Sequence, residues 1–138
     1  MNRSHELAEA LLRRARGDAW VLNELLHKEG APLWAVGFHA QQAVEKSLKA
    51  VLAAHSVEYP RTHNLAMLVD LIEGAGPPAP PDAVDLPRLT PFGTALRCDD
   101  ELATEAARFP GLAGMRQVVE RTLGWAEDLV GRAASGDR

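Results

Sequence analysis

The stretch Ala31–Val57, APLWAVGFHAQQAVEKSLKAVLAAHSV, decides the fold of this chain. When its residues are placed on a helix at about 100° per residue, the large apolar side chains share one arc. The residues of this arc are Trp34, Phe38, Val44, Leu48, Val51 and Leu52. The pattern predicts a long helix whose apolar arc faces the core.

Polar residues interrupt the same arc. Gln41 and Glu45 fall inside it, Gln42 and Lys49 lie on its shoulder, and Lys46 lies further round. Removing an ionised carboxylate from water is costly unless a cation or several hydrogen-bond donors meet it. One interpretation is an intrahelical pair of Glu45 with Lys49, spaced i,i+4, with glutamine completing the hydrogen bonds. The other is a polar pocket, or an interface between two helices or two copies of the chain.

Length and composition predict one small domain. The chain has 138 residues, of which 46% are apolar, and this is enough for a single core across residues 1–138. A Pro/Gly-rich loop is expected at 74–82 and a frayed tail at 135–138. The net charge of −4 argues against a protein dominated by nucleic-acid electrostatics but leaves a local basic patch open.

Cysteine usage and hydropathy predict a soluble, cytoplasmic protein. Cys98 is the only cysteine, so no internal disulfide can form and a reducing compartment is the simplest assignment. The first residues are too charged for a signal peptide. No stretch approaches the run of about 18 apolar residues that a membrane span requires.

The first helix is predicted over about residues 4–28. Its apolar residues that share a face are Leu7, Leu11, Val21, Leu22 and Leu25. Arg14 and Asp18, an i,i+4 pair of opposite charge, fill a gap in this stripe and are predicted as a polar pair in the core. If the first two helices pack antiparallel, this pair is expected to meet Glu45 or Lys49.

Three further helical segments complete the prediction. They span about 64–73, about 83–96 with interruptions at two prolines, and about 112–134. The candidate N-caps are Ser4 for the first helix, Thr62 or Asn64 for the third, and Thr90 for the part that begins at Pro91. No window alternates with period two, so the expected fold is an all-α, up-down bundle of four to five helices.

A search for familiar catalytic patterns finds none. No pair among the five histidines has the spacing of a helical metal site, and no phosphate-binding glycine loop or nucleophile motif is present. The acidic residues between Asp99 and Glu105 favour a solvated loop over a cation site. We therefore expect no metal and no cofactor.

Two segments resemble the signature of the HEPN domain family. Residues 38–52, FHAQQAVEKSLKAVL, followed by 62–65, THNL, are similar to the family's QxxEKxxKA helix and tH(D/N)L turn. Residues 89–97, LTPFGTALR, are similar to a further family segment, with Arg97 at the position of its arginine, and Asp18 also matches a family position. The resemblance extends over about residues 6–133.

The resemblance implies an all-α bundle, commonly a homodimer, that binds a nucleotide or RNA. Many family members are encoded beside a minimal nucleotidyltransferase as a toxin–antitoxin-like pair. RNase members carry an arginine followed four to six residues later by a histidine. No histidine follows His63 here, so Arg97 and Arg108 lack that partner, and the expectation is a binding module rather than an enzyme.

Site residues follow from the matched motifs. The expected ligand-binding residues are Gln42, Glu45, Lys46, Lys49, His63 and Arg97. Arg97 suits a bidentate phosphate contact, with a salt bridge to nearby acidic residues as the alternative. Two other functions stay open: a metal-independent RNase that uses His63 or His39 with Arg97, and a purely structural dimerisation domain.

Overall fold

The computed structural model describes residues 2–93, 102, 104 and 111–136. Its elements are α1 (Arg3–Leu26), α2 (Leu33–Ala54), α3 (Leu65–Ala75), a 3₁₀ helix (Leu86–Gly93) and α4 (Gly111–Ala134). The described residues contain helices and no strand, so the predicted all-α class is confirmed. None of these helices is long and apolar enough to cross a membrane.

The central element is α2, which contacts α1, α3, α4 and the 3₁₀ helix. A short connection joins α1 to α2, so the two helices run antiparallel. The residues that α2 buries are Ala35, Val36, Gly37, Ala40, Gln41, Ala43, Val44, Glu45, Ser47, Leu48, Ala50, Val51, Leu52, Ala53 and Ala54. Because neighbours surround most of this helix, its polar side chains are buried together with its apolar ones.

Many of the buried residues of α2 are alanines, and two large residues of the predicted core arc are exposed. Alanines of α2 face the interior, whereas Trp34 and Phe38, which we expected in the core, are exposed. Leu7 of α1 is likewise exposed, while Ala8 and Ala15 are fully buried. The prediction is wrong only at the N-terminal end of the arc, because its other residues are buried as expected: Val44, Leu48, Val51 and Leu52.

The 3₁₀ helix lies against α2 through two glycines. A Cβ atom at Gly37 would overlap the ring of Phe92, and a Cβ atom at Gly93 would overlap the side-chain amide of Gln41. The broken helical segment expected over about 83–96 is a 3₁₀ helix here, because its prolines prevent a regular α-helix, and residues 94–96 lie outside the described residues. The contact fixes the end of the 3₁₀ helix beside the polar residues of α2.

Two of the predicted helix N-caps, Ser4 and Thr90, are wrong. The N-cap of α1 is Asn2, whose Oδ1 accepts from the amide of His5 at 2.8 Å, rather than Ser4. Thr90 accepts a hydrogen bond from the amide of Leu65 at 3.2 Å, so its hydroxyl serves the first turn of α3 instead of the segment that follows it. Asn64 is the N-cap of α3, as one of the two alternatives predicted.

The Pro/Gly-rich loop is fastened to α4. The indole Nε1 of Trp125 donates to the carbonyl of Pro78 at 3.0 Å. Arg121 makes two hydrogen bonds to the carboxylate of Asp82, at 2.8 and 3.0 Å. The loop therefore has fixed contacts at its middle and at its end.

Candidate functional site

The candidate site is built on the carboxylate of Glu45, which lies one turn after Gln41 on α2. Glu45 Oε1 accepts from Gln41 Nε2 at 2.9 Å and from His63 Nδ1 at 2.7 Å. Its Oε2 accepts from Lys49 Nζ at 2.9 Å. We call these four residues the Glu45 cluster. The intrahelical pair of Glu45 with Lys49 is thus present, but it is part of a larger network that reaches His63 in the turn before α3.

The Glu45 cluster keeps a buried carboxylate ionised. Burial raises the pKa of Glu45, but the hydrogen bonds from Gln41, Lys49 and His63 together outweigh burial, so its pKa lies below the ordinary value of 4.5. A buried charge with three donors meets the condition under which such a group is tolerated in a protein interior. The carboxylate is therefore a permanent acceptor around which the donors are oriented.

His63 is the exposed member of the Glu45 cluster. Its side chain is 61% exposed, whereas that of Glu45 is 5% exposed. Because an ionised carboxylate only accepts, the Nδ1 of His63 carries the proton of this hydrogen bond. In the neutral ring Nε2 is then an acceptor, so the site offers a proton acceptor of fixed orientation.

Tyr59 borders the same cluster. The Nζ of Lys49 lies 5.7 Å from the centre of the Tyr59 ring, within the range of a cation–π contact. Burial and then the negative charge of Glu45 raise the pKa of Tyr59. Tyr59 is therefore a neutral phenol at physiological pH, and its ring supports the ammonium group of Lys49.

A second carboxylate–histidine pair joins α1 to α2. Asp18 accepts from His39 Nδ1 at 2.9 Å and from Lys46 Nζ at 2.6 Å, and we call these three residues the Asp18 cluster. The predicted core pair of Asp18 with Arg14 is wrong, because Arg14 is exposed. The predicted contact of this pair with Glu45 or Lys49 is also wrong, because antiparallel packing places Asp18 beside Lys46 instead.

Gln42 lies between the two clusters on α2. Its Nε2 donates to Gln41 Oε1 at 2.7 Å. Lys46 follows Gln42 by one helical turn and Lys49 follows it by two. The structure thus brings together Gln42, Glu45, Lys49 and His63, and it places Lys46 in the adjoining Asp18 cluster. Arg97 lies outside the described residues, as do Cys98, Asp99 and Arg108.

Sequence reasoning missed three members of the site. Gln41 was expected only as a polar residue in the arc, yet it donates directly to Glu45. Tyr59 was not expected to contact Lys49, and the pairing of His39 with Asp18 was not foreseen. The spacing of His39 and Lys46, seven residues apart and hence on one face of a helix, is the signal that points to a shared partner. Within the described ranges, no group of three His, Cys, Asp or Glu residues is placed to hold a metal ion.

These features define an all-α bundle whose central helix carries a buried charged network with an exposed histidine. The model of the HEPN domain family matches residues 8–133, and the chain belongs to this family of nucleotide- or RNA-related helical modules. The resemblance drawn from the QxxEKxxKA and THNL segments is thereby confirmed. No curated protein and no solved structure gives a significant match to the chain.

Proposed function

We propose that the protein is a nucleotide- or RNA-binding module whose ligand contacts the outer face of α2. The observation that carries this proposal is the exposed imidazole of His63, which is held in one orientation by the buried, ionised Glu45. On α2, Lys49 shares the carboxylate of Glu45 with His63, and Gln42 reaches this cluster through Gln41. Lys46 belongs to the Asp18 cluster on the same helix. Such fixed donors and acceptors suit the hydrogen-bonding groups of a nucleotide.

The geometry explains how the module would bind a ligand without catalysing its cleavage. His63 Nε2 is offered to the ligand, while Nδ1 is committed to Glu45. A ligand therefore meets an orientation already fixed by the fold, which reduces the ordering cost of binding. The absence of a histidine after Arg97 supports binding rather than cleavage.

The proposal includes a partner. On the resemblance to minimal HEPN proteins, the module would act as a homodimer with a nucleotidyltransferase in a toxin–antitoxin-like system. Arg97 is retained as a candidate phosphate contact on the same ground. Co-purification with a nucleotidyltransferase encoded beside this gene, from one expression vector, tests the partnership directly.

The binding proposal is tested with purified protein. Isothermal titration with nucleotides and short single-stranded RNA should give a dissociation constant that rises at least about tenfold in His63→Ala. The control is His27→Ala, since His27 is also exposed but gives its Nδ1 to the carbonyl of Asn23. Equal affinities of the two variants would argue against a site at His63.

A second candidate function is metal-independent RNA cleavage, favoured by the 2.7 Å contact of His63 with Glu45. His63 Nε2 would accept the proton of a ribose 2′-hydroxyl, whose oxygen bonds to phosphorus while the P–O5′ bond breaks. The leaving oxygen would take a proton from water. Cleavage in EDTA that is lost in both His63→Ala and Arg97→Ala would establish this function, and intact RNA would exclude it.

A further inference from the structure

Two exposed aromatic rings lead up to the candidate site along α2. Trp34 is 57% exposed and Phe38 is 37% exposed, on a helix that is otherwise largely buried. Trp34, Phe38 and Gln42 are spaced four residues apart, so they lie one above another on the same face, and we call them the aromatic stripe. A cluster of exposed rings next to a polar site is typical of a binding surface.

The Phe38 ring has a fixed orientation. It packs edge-on against the ring of His39, with the ring centres 5.4 Å apart and an interplanar angle of 82°. His39 is held in turn by Asp18 at 2.9 Å. The Phe38 ring is thus positioned before any ligand arrives.

The charges beside the stripe are paired. Lys46 lies 2.6 Å from Asp18, and Lys49 lies 2.9 Å from Glu45. Two carboxylates and two ammonium groups cancel, so with neutral histidines the clusters carry no net formal charge. A polyanionic nucleic-acid backbone gains little electrostatic attraction from such a surface. An uncharged aromatic ring with polar edges is better suited to bind there.

Gln42 supplies the polar contact at the end of the stripe. A primary amide has two N–H protons and a carbonyl, and the described hydrogen bond to Gln41 uses one of the protons. The remaining groups match the donor and acceptor edge of a nucleobase.

We propose that the aromatic stripe binds a nucleobase, which stacks on Trp34 and Phe38 while its edge hydrogen-bonds to Gln42. This inference rests on the proposed nucleotide or RNA binding and names the part of the ligand that is recognised. The base belongs to a free nucleotide or to single-stranded RNA, because a duplex hides its base faces.

The test is calorimetric titration with adenosine, its 5′-monophosphate, a short single-stranded RNA and the same RNA as a duplex. Adenosine should bind within about threefold of the monophosphate, and affinity should change by less than about threefold between roughly 50 and 200 mM salt. Trp34→Ala should weaken binding about tenfold. Tighter binding of the single strand than of the monophosphate identifies RNA as the source of the base, and the reverse identifies a free nucleotide.

Trp20→Ala is the matched control, because Trp20 of α1 is 65% exposed and lies outside the stripe. Equal affinity of the Trp34 and Trp20 variants would overturn base stacking and leave the proposed function standing. RNA binding that falls steeply with salt, with no binding of adenosine, would also overturn base stacking.

A wild-type protein that binds neither nucleotide nor RNA would refute both proposals. If Trp34→Ala converts a dimer to a monomer without affecting adenosine, a second copy covers the stripe, and the inference is wrong.

Discussion

His63 Nδ1 lies 2.7 Å from Glu45 Oε1, so a solvent-exposed imidazole is anchored to one of the most buried carboxylates of the fold. This bond links the turn before α3 to the middle of α2. It makes the orientation of an exposed side chain depend on an interior charge. The same bond connects the stability of the protein with the geometry of its candidate site.

Glu45→Gln removes that interior charge while preserving the shape of the side chain. We expect a loss of about 1–3 kcal/mol in the free energy of unfolding, because Lys49 and His63 lose a charged acceptor. Urea unfolding followed by circular dichroism measures it. Glu120→Gln is the control, since Glu120 forms an exposed i,i+4 pair with Arg116 and should cost less than about 0.5 kcal/mol. Similar losses in the two variants would show that the buried contacts of Glu45 add nothing to the free energy of unfolding beyond an exposed pair.

The lowered pKa of Glu45 predicts a specific pH dependence. A carboxylate with a lower pKa in the folded state stabilises the fold fully above its unfolded pKa of 4.5, and this contribution disappears as pH falls through the folded pKa. The difference in unfolding free energy between wild type and Glu45→Gln should therefore shrink as the pH falls below about 4.5. Measuring both proteins at each pH cancels the titration of the other carboxylates. A difference that grows on acidification would contradict the prediction.

Gly37→Ala should destabilise the protein although alanine favours helices. The added methyl group would overlap the Phe92 ring, and overpacking of this kind costs about 1–3 kcal/mol. Gly124→Ala in α4 is the matched control, because its Cβ would meet nothing within 4 Å. That variant should be stabilised by up to about 1 kcal/mol through helix propensity. Thermal unfolding of both variants should show shifts of opposite sign, and shifts of the same sign would refute the docking of Phe92 on Gly37.

The Glu45 and Asp18 clusters should contribute independently. No hydrogen bond or ion pair joins them within the part of the chain that is described. We expect Asp18→Asn to cost about 1–3 kcal/mol, and the loss in the double variant with Glu45→Gln to equal the sum of the single losses within about 0.5 kcal/mol. A double-variant loss well below that sum would show that the clusters are coupled through α2.

The sequence predicted those features that depend on local spacing. The helices follow from apolar periodicity, and the pair of Glu45 with Lys49 follows from a separation of four residues. The cap of α3 was predictable because an asparagine side chain directly before a helix accepts from its first turn. These interactions need no knowledge of how the helices pack.

Features set by packing between helices were not predictable from spacing alone. Trp34 and Phe38 were expected in the core because they share the apolar arc of α2, but they are exposed, while nearby alanines of the same helix are buried. Asp18 was assigned to Arg14, its neighbour on α1, although its partners come from α2. Which residue across an interface pairs with which depends on the register of the two helices, and a single sequence does not reveal that register.

The hydrogen bond from the Leu65 amide to the Thr90 hydroxyl has a consequence for the order of folding. It joins residues 25 positions apart in the chain, whereas the α1–α2 hairpin needs only a short connection. Local contacts form before distant ones because closing a longer loop costs more entropy. We therefore expect the hairpin to form first and the first turn of α3 to become protected only when the 3₁₀ helix docks. In pulsed hydrogen exchange, the Leu65 amide should gain protection together with that segment rather than with the rest of its own helix.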